Sequence, residues 1–222
     1  MTPTGGAARH GGISAASPVI PSEIRGQIHE HTRKHNFGPA RVHQARLEAG
    51  EGAGKGAQVE LLYSYLKERG FIVAKGREPG STAVGEQFRI ILQNPDMPEL
   101  HAKTELLAYV AAGVELFNKE IKPILEKGGI FITDRWRFST QAYQGHGLGL
   151  DLELIKMLTN FSCDGNYPDL NILIDIKPEK GLSNISGNEF GAHKMDKLEA
   201  RGIEFHKRIY EGYKKISQEN AE

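Results

Sequence analysis

From residue 41 onward, apolar residues recur along the chain at two alternating periods. In "VELLYSYLKERG", Val59, Leu61, Leu62, Tyr65 and Leu66 fall at helical spacing, and Gly70 is suited to the left-handed turn that ends a helix. The following "FIVAKG" is a short apolar strand. "TAVGEQFRIILQN" is helical again and stops before Pro95. "ELHAKTELLAYVAAGVELFNKEIKPILEKGG" predicts one long helix or two, with Pro123 as kink or fresh start and a Gly-Gly stop. "IFIT" reads as a strand, "LDLELIKMLTNFS" as a helix, "LNILIDI" as a strand and "ARGIEFHKRIYEGYKKISQ" as a final helix. Short strands alternating with longer helices imply parallel pairing through crossovers, an α/β fold in three layers with a parallel sheet flanked by helices. Ligands of such sheets gather beyond the carboxyl ends of the strands, so functional residues are expected directly after these strands. The poorest strand is the one before residue 48. "RVHQARLEA" offers only Val42, Ala45, Leu47 and Ala49, whereas a central parallel strand is covered on both faces and reads as nearly all apolar.

Residues 1–40 have another character. They are small, polar and rich in Gly, Ala and Ser, which predicts a disordered or weakly helical extension, with a short helix over 21–35 capped by Ser22. His31 and His35 stand one helical turn apart, but no third metal ligand accompanies them. The chain's 222 residues suffice for one domain with a real core, placed at 41–222. Its 28 basic and 28 acidic residues balance, so the total charge points to neither nucleic acid nor a membrane surface. A lone cysteine, Cys163, excludes an internal disulfide and suits a reducing cytosol. Neither a membrane-spanning run nor a secretory leader is legible, and a cytoplasmic protein is expected.

Three segments carry candidate chemistry. "AGEGAGKGA", residues 49–57, allows the backbone amides of Ala49, Gly50, Glu51, Gly52, Ala53, Gly54, Gly56 and Ala57 to form an anion nest. Lys55 adds a point charge, and a helix follows whose N-terminal dipole faces the same anion. The competing reading is a plain glycine-rich loop. "TDRWRFSTQAYQG" follows "IFIT": Asp134 at a strand end suits Mg²⁺, and Arg135 can fork onto a phosphate, although a surface salt bridge would look the same. "REPGST" places Arg77 and Glu78 beside a Pro-Gly turn at the same edge of the sheet.

In this order, "EAGEGAGK", "REPGST", "TELLAY", "DRWRFSTQAYQG" and "PDL" resemble the thymidylate kinases from about residue 47 to 213. The resemblance implies a P-loop nucleoside-monophosphate kinase that uses Mg²⁺ and ATP to convert dTMP into dTDP, with a lid near 183–197. It further implies that Lys55 holds the ATP phosphates and that Glu51 lies near the acceptor phosphate and the metal beside Asp134. Arg77 and Arg135 would bind the acceptor phosphate or the phosphoryl in flight, and Tyr109 would stack on the base. Thr140, Tyr143 and Gln144 would line the nucleoside pocket. A homodimer through the apolar face of 104–117 is expected by the same analogy. On residues alone, Tyr109 and Tyr143 could equally be core packing.

The sequence departs from the family's pattern at identifiable places. Ala49 replaces a loop glycine, where a Cβ is expected to crowd a backbone needing positive φ. Gly56 and Ala57 remove the hydroxyls that follow the lysine, and Ala112 and Gly113 replace an Asp-Arg pair. The lid carries Lys194 and Lys197 but no arginine. The family's last strand and helix are not expected from this sequence. The alternatives are a related kinase with another acceptor, or a nucleotide-binding or interaction protein with impaired catalysis.

Overall fold

The computed structural model describes residues 43–186 and 195–220. The expected N-terminal extension, its helix, the His31–His35 pair and Lys194 lie outside the described residues. Four parallel strands, β1 (His43–Glu48), β2 (Val73–Arg77), β3 (Ile130–Asp134) and β4 (Leu170–Leu173), form one sheet in the order β2-β3-β1-β4. β1 therefore sits in the centre, with Ala45 opposite Ile132 on one side and Leu170 on the other.

The weak strand is central because its two faces meet different partners. Ala45 and Leu47 point into a cluster with Val59, Leu62 and Leu66 of helix α1 (Lys55–Glu68), joined by Ile130, Ile132 and Ile172. Gln44, Arg46 and Glu48 alternate onto the other face and are buried nonetheless. Each finds internal compensation: the Arg46 guanidinium lies over the Trp136 ring at 4.0 Å and donates to Gln44 Oε1 at 3.0 Å. Glu48 accepts from the Trp136 amide at 3.1 Å and from the Ser139 hydroxyl at 2.5 Å. Periodicity thus survives as an alternation of apolar and polar rows.

Around this sheet the expected helices appear in order, joined by helical segments at 137–147 and 178–186 that the periodicity did not predict. α2 (Ala83–Gln93) is capped by Thr82, whose hydroxyl accepts from the Gly85 amide at 2.8 Å. α3 (Ala102–Leu116) runs through a π-helical segment, Phe117–Ile121, into α4 (Lys122–Glu126), with Pro123 in the first turn of α4. The three segments follow one another without a break, so the long apolar run is one column rather than two helices. Next come α5 (Arg137–Thr140), a second π-helical segment (Gln141–Gly147), α6 (Leu152–Phe161), α7 (Pro178–Ser186) and α8 (Ile203–Glu219). α8 packs Phe205, Ile209, Tyr213 and Ile216 against Tyr143 and Tyr109, which anchors the second π-helical segment beneath the carboxyl ends of the strands. Burying each such side chain stabilises the fold by roughly 1.5–3 kcal/mol.

Candidate functional site

The loop after β1 is built as its glycines require. Gly52 and Gly54 adopt left-handed φ of 65° and 77°, and Gly54 is the N-cap residue of α1, so the helix amides open onto the loop. Lys55 is buried and its ammonium folds back to donate to the Gly50 carbonyl at 3.0 Å. Ala49 overturns one expectation: its φ is not left-handed, it is fully buried, and its carbonyl accepts from Arg135 Nη1 at 2.8 Å. A methyl group fits there without strain. Gly52 is the sensitive position. A Cβ on it would fall on the carbonyl of Gly181 in α7, and Asn184 of the same helix donates to the Gly52 carbonyl at 2.9 Å.

Arg135 connects this loop to the second half of the site. It has a left-handed φ of 66°, uncommon for a side-chain-bearing residue, and its amide is held by the Leu47 carbonyl at 3.0 Å. Its guanidinium pairs with Glu51 at 2.8 Å and lies 5.0 Å from the centre of the Tyr143 ring. The Tyr143 hydroxyl donates to the same Glu51 carboxylate at 2.7 Å. Burial raises the Glu51 carboxyl, but Arg135, Lys55 and this hydroxyl outweigh burial and hold it at about 2. Burial and the Arg135 charge lower Lys55 to about 8, against the opposing pull of Glu51, Asp134 and Glu48. Burial also lifts the Tyr143 phenol well above its ordinary range, so it stays a donor.

A slot of about 20 Å³ opens beside this pair, lined by Tyr109, Arg135, Thr140, Tyr143 and Gln144 together with Glu78, Pro79, Gln93, Ser139 and Leu198. Five sequence-predicted residues thus converge on one wall. Ligand pockets for drug-sized molecules enclose roughly 300–1,000 Å³, so this slot is too small to hold a nucleoside as it stands. Gln144 is held in it by donating to the buried Glu105 carboxylate at 2.9 Å, which Arg201 also clamps at 2.7 Å. Arg77 is not brought in: its guanidinium is half exposed and pairs with Glu86 at 3.2 Å. Lys197 does not face the loop either, since its ammonium donates to the Pro98 carbonyl at 2.7 Å and the Ile91 carbonyl at 3.3 Å. Gly56 and Ala57 are exposed on the first turn of α1, without a hydroxyl to offer.

Sequence reasoning missed the layer under the site. Glu48, Ser139 and Tyr213 form a buried chain, with Ser139 and Tyr213 hydroxyl oxygens 2.6 Å apart and both reaching Glu48. Its only trace in the sequence is a carboxylate ending an otherwise weak strand; Tyr213 lies 74 residues from Ser139. Asp134 carries a buried oxygen, Oδ1, without a hydrogen-bond partner among the described residues, next to the loop. No group of three or more His, Cys, Asp or Glu among the described residues could hold a metal alone.

A parallel sheet whose central strand runs into a left-handed glycine loop and a helix N-terminus defines the P-loop α/β class. The thymidylate kinase family model matches residues 47–222. A thymidylate kinase from Halothermothrix orenii is 39% identical over 173 residues, covering 78% of this chain and 83% of that protein. One from Exiguobacterium sp. is 35% identical over 176 residues, covering 79% and 81%. The crystal structure of thymidylate kinase from Ehrlichia chaffeensis superposes with a TM-score of 0.65 at 32% identity, covering 80% of this chain and 87% of that one. The chain belongs to the thymidylate kinase family.

Proposed function

We propose that the protein is a cytoplasmic thymidylate kinase, transferring the γ-phosphoryl group of MgATP to dTMP to give dTDP and ADP. The observation that carries this reading is Arg135, one guanidinium shared between the phosphate loop and the slot lined by Tyr109, Thr140 and Tyr143. Phosphoryl transfer asks a protein chiefly to position two phosphates and neutralise charge between them. Lys55 and the amides of residues 49–57 would hold the donor's β- and γ-phosphates. Arg135 would take the acceptor phosphate as the slot widens, in exchange for the Glu51 carboxylate that Tyr143 orients. Arg77 would reach the acceptor phosphate only after leaving Glu86. Tyr109 would stack on the base, and Thr140 and Gln144 would bracket the nucleoside.

The unpartnered Asp134 oxygen fits Mg²⁺, an ion commonly bound through one or two carboxylates plus substrate phosphates, with Glu51 as the neighbouring carboxylate. When bound, the ion neutralises phosphate charge. Base selection would not use position 113, because a Cβ on Gly113 would lie 3.0 Å from Trp136 Nε1 and a longer side chain has no room. Coupled measurement of ADP release with dTMP, dUMP, dCMP and dGMP tests the reading. Turnover should be greatest with dTMP, and equal silence on all four would sink it.

A second copy of the chain is the proposed partner of the stripe formed by Leu154, Met157 and Phe161 on α6 with Leu107 on α3, all exposed. Their spacing on α6 places them on one face, and α3 and α6 pack together. Sedimentation should give a dimer that Phe161→Asp converts to monomer.

A further inference from the structure

We propose that Tyr213, together with Ser139, is a positioning residue for phosphoryl transfer. It fixes one edge of the Arg135 guanidinium while the other edge exchanges Glu51 for the acceptor phosphate. This role rests on the reading that Arg135 binds that phosphate.

The two edges of the Arg135 fork meet different groups. Nη2 pairs with the Glu51 carboxylate at 2.8 Å, an anion that a phosphate can replace. Nη1 meets uncharged oxygens: the Ala49 carbonyl at 2.8 Å, and the Ser139 and Tyr213 hydroxyls at 3.5 Å each. An uncharged oxygen is not what a phosphate displaces from a guanidinium, so this edge stays held when Glu51 leaves.

Proton accounting orients the two hydroxyls. Ser139 gives its one proton to Glu48 Oε2 at 2.5 Å. The Tyr213 hydroxyl, 2.6 Å away, is therefore the donor to Ser139, and it also reaches Glu48 Oε2 at 3.4 Å. Both hydroxyl oxygens keep a lone pair for Nη1. Glu48 anchors the layer, since its other oxygen accepts at 3.1 Å from the amide of Trp136, the residue after Arg135. Glu48, Ser139 and Tyr213 are all buried, so water does not compete for these bonds. Burial raises the Glu48 carboxyl, while the Ser139 bond and the Arg135 charge pull it down, as expected of a layer coupled to the guanidinium. The Tyr213 ring also meets Tyr143 edge-on at 6.4 Å, and so braces the phenol that orients Glu51. Removing the Tyr213 hydroxyl takes one contact from Nη1 and the donor from Ser139.

Tyr213→Phe keeps the ring and removes the hydroxyl. Steady-state kinetics should show KM for dTMP raised about tenfold, with kcat and KM for ATP changed less than about twofold. A merely loosened fold would affect both substrates. In an Arg135→Lys background, Tyr213→Phe should cost nothing further, because it acts through the guanidinium. Ser139→Ala should repeat both results, and it stands in if thermal melts show that Tyr213→Phe does not fold. Wild-type protein that neither binds nor turns over dTMP overturns the kinase reading and this role with it. Normal wild-type turnover with an unchanged KM for dTMP in the variant, an equal rise in KM for ATP, or a full further loss in the Arg135→Lys background overturns the role of Tyr213 alone.

Discussion

Replacing Glu78 by glutamine should stabilise the protein in a strongly pH-dependent way. Glu78 follows β2, is 3% exposed, and its amide is fixed by the Asp134 carbonyl at 3.0 Å. Burial first, and the Glu48 carboxylate second, push its carboxyl up to about 8 from 4.5, despite the pull of Arg135, Arg46 and Arg89. The native state therefore keeps a proton between pH 4.5 and about 8 that the unfolded chain releases. Stability from this group is complete below 4.5 and is lost as pH rises toward about 8. At about 1.36 kcal/mol per pH unit, that interval corresponds to about 5 kcal/mol. Glutamine keeps the shape and removes the titration. Urea unfolding of both proteins across this range should give nearly equal stabilities near the acid end and a widening advantage for Glu78→Gln toward pH 8. The other titrating groups are common to both proteins, so the difference reports this carboxyl together with its coupling to Glu48. Parallel stability curves, or an advantage that grows toward acid, would refute the reasoning.

Arg135→Lys should retain charge but lose the fork that spans Glu51 and the Ala49 carbonyl, lowering kcat/KM about 10³-fold in steady-state kinetics; a loss below tenfold would remove Arg135 from the phosphate. Gly181→Ala places a methyl on the Glu51 carbonyl and should cost about 1–3 kcal/mol in thermal unfolding, with weaker ATP binding by calorimetry; an unchanged protein would mean that α7 and the loop do not touch in solution. Lys55 loses its charge as pH rises through about 8, so kcat/KM should fall about tenfold per pH unit beyond it, and a rate flat to about pH 10 would contradict its burial.

The order of strands and helices was legible because each element keeps its period, and the order of the motifs then brought the loop, Arg135, Tyr109 and Tyr143 to one end of the sheet. Ala49 was misread because the sequence reveals a missing glycine but not the φ of its backbone. β1 was undervalued for a different reason. A strand that alternates Gln44, Arg46 and Glu48 with Ala45 and Leu47 counts as half polar, and nothing local announces that Trp136 and Ser139 will cover the polar row. Arg77 and Lys197 have the right charge at the right places in the chain, but Glu86 and the carbonyls of Ile91 and Pro98 claim them. Such competition is settled by tertiary proximity, which single-residue patterns do not encode.

The guanidinium of Arg135 is already neutralised before any nucleotide arrives, since Glu51 and the Ala49 carbonyl hold it. A phosphate reaching it must displace a carboxylate, so recognition is an exchange of one anion for another. The long-range field that an uncompensated arginine would cast into solvent is largely cancelled. Association of phosphate-bearing substrates should accordingly depend weakly on ionic strength, and their discrimination rests on which anion fits the fork better at contact.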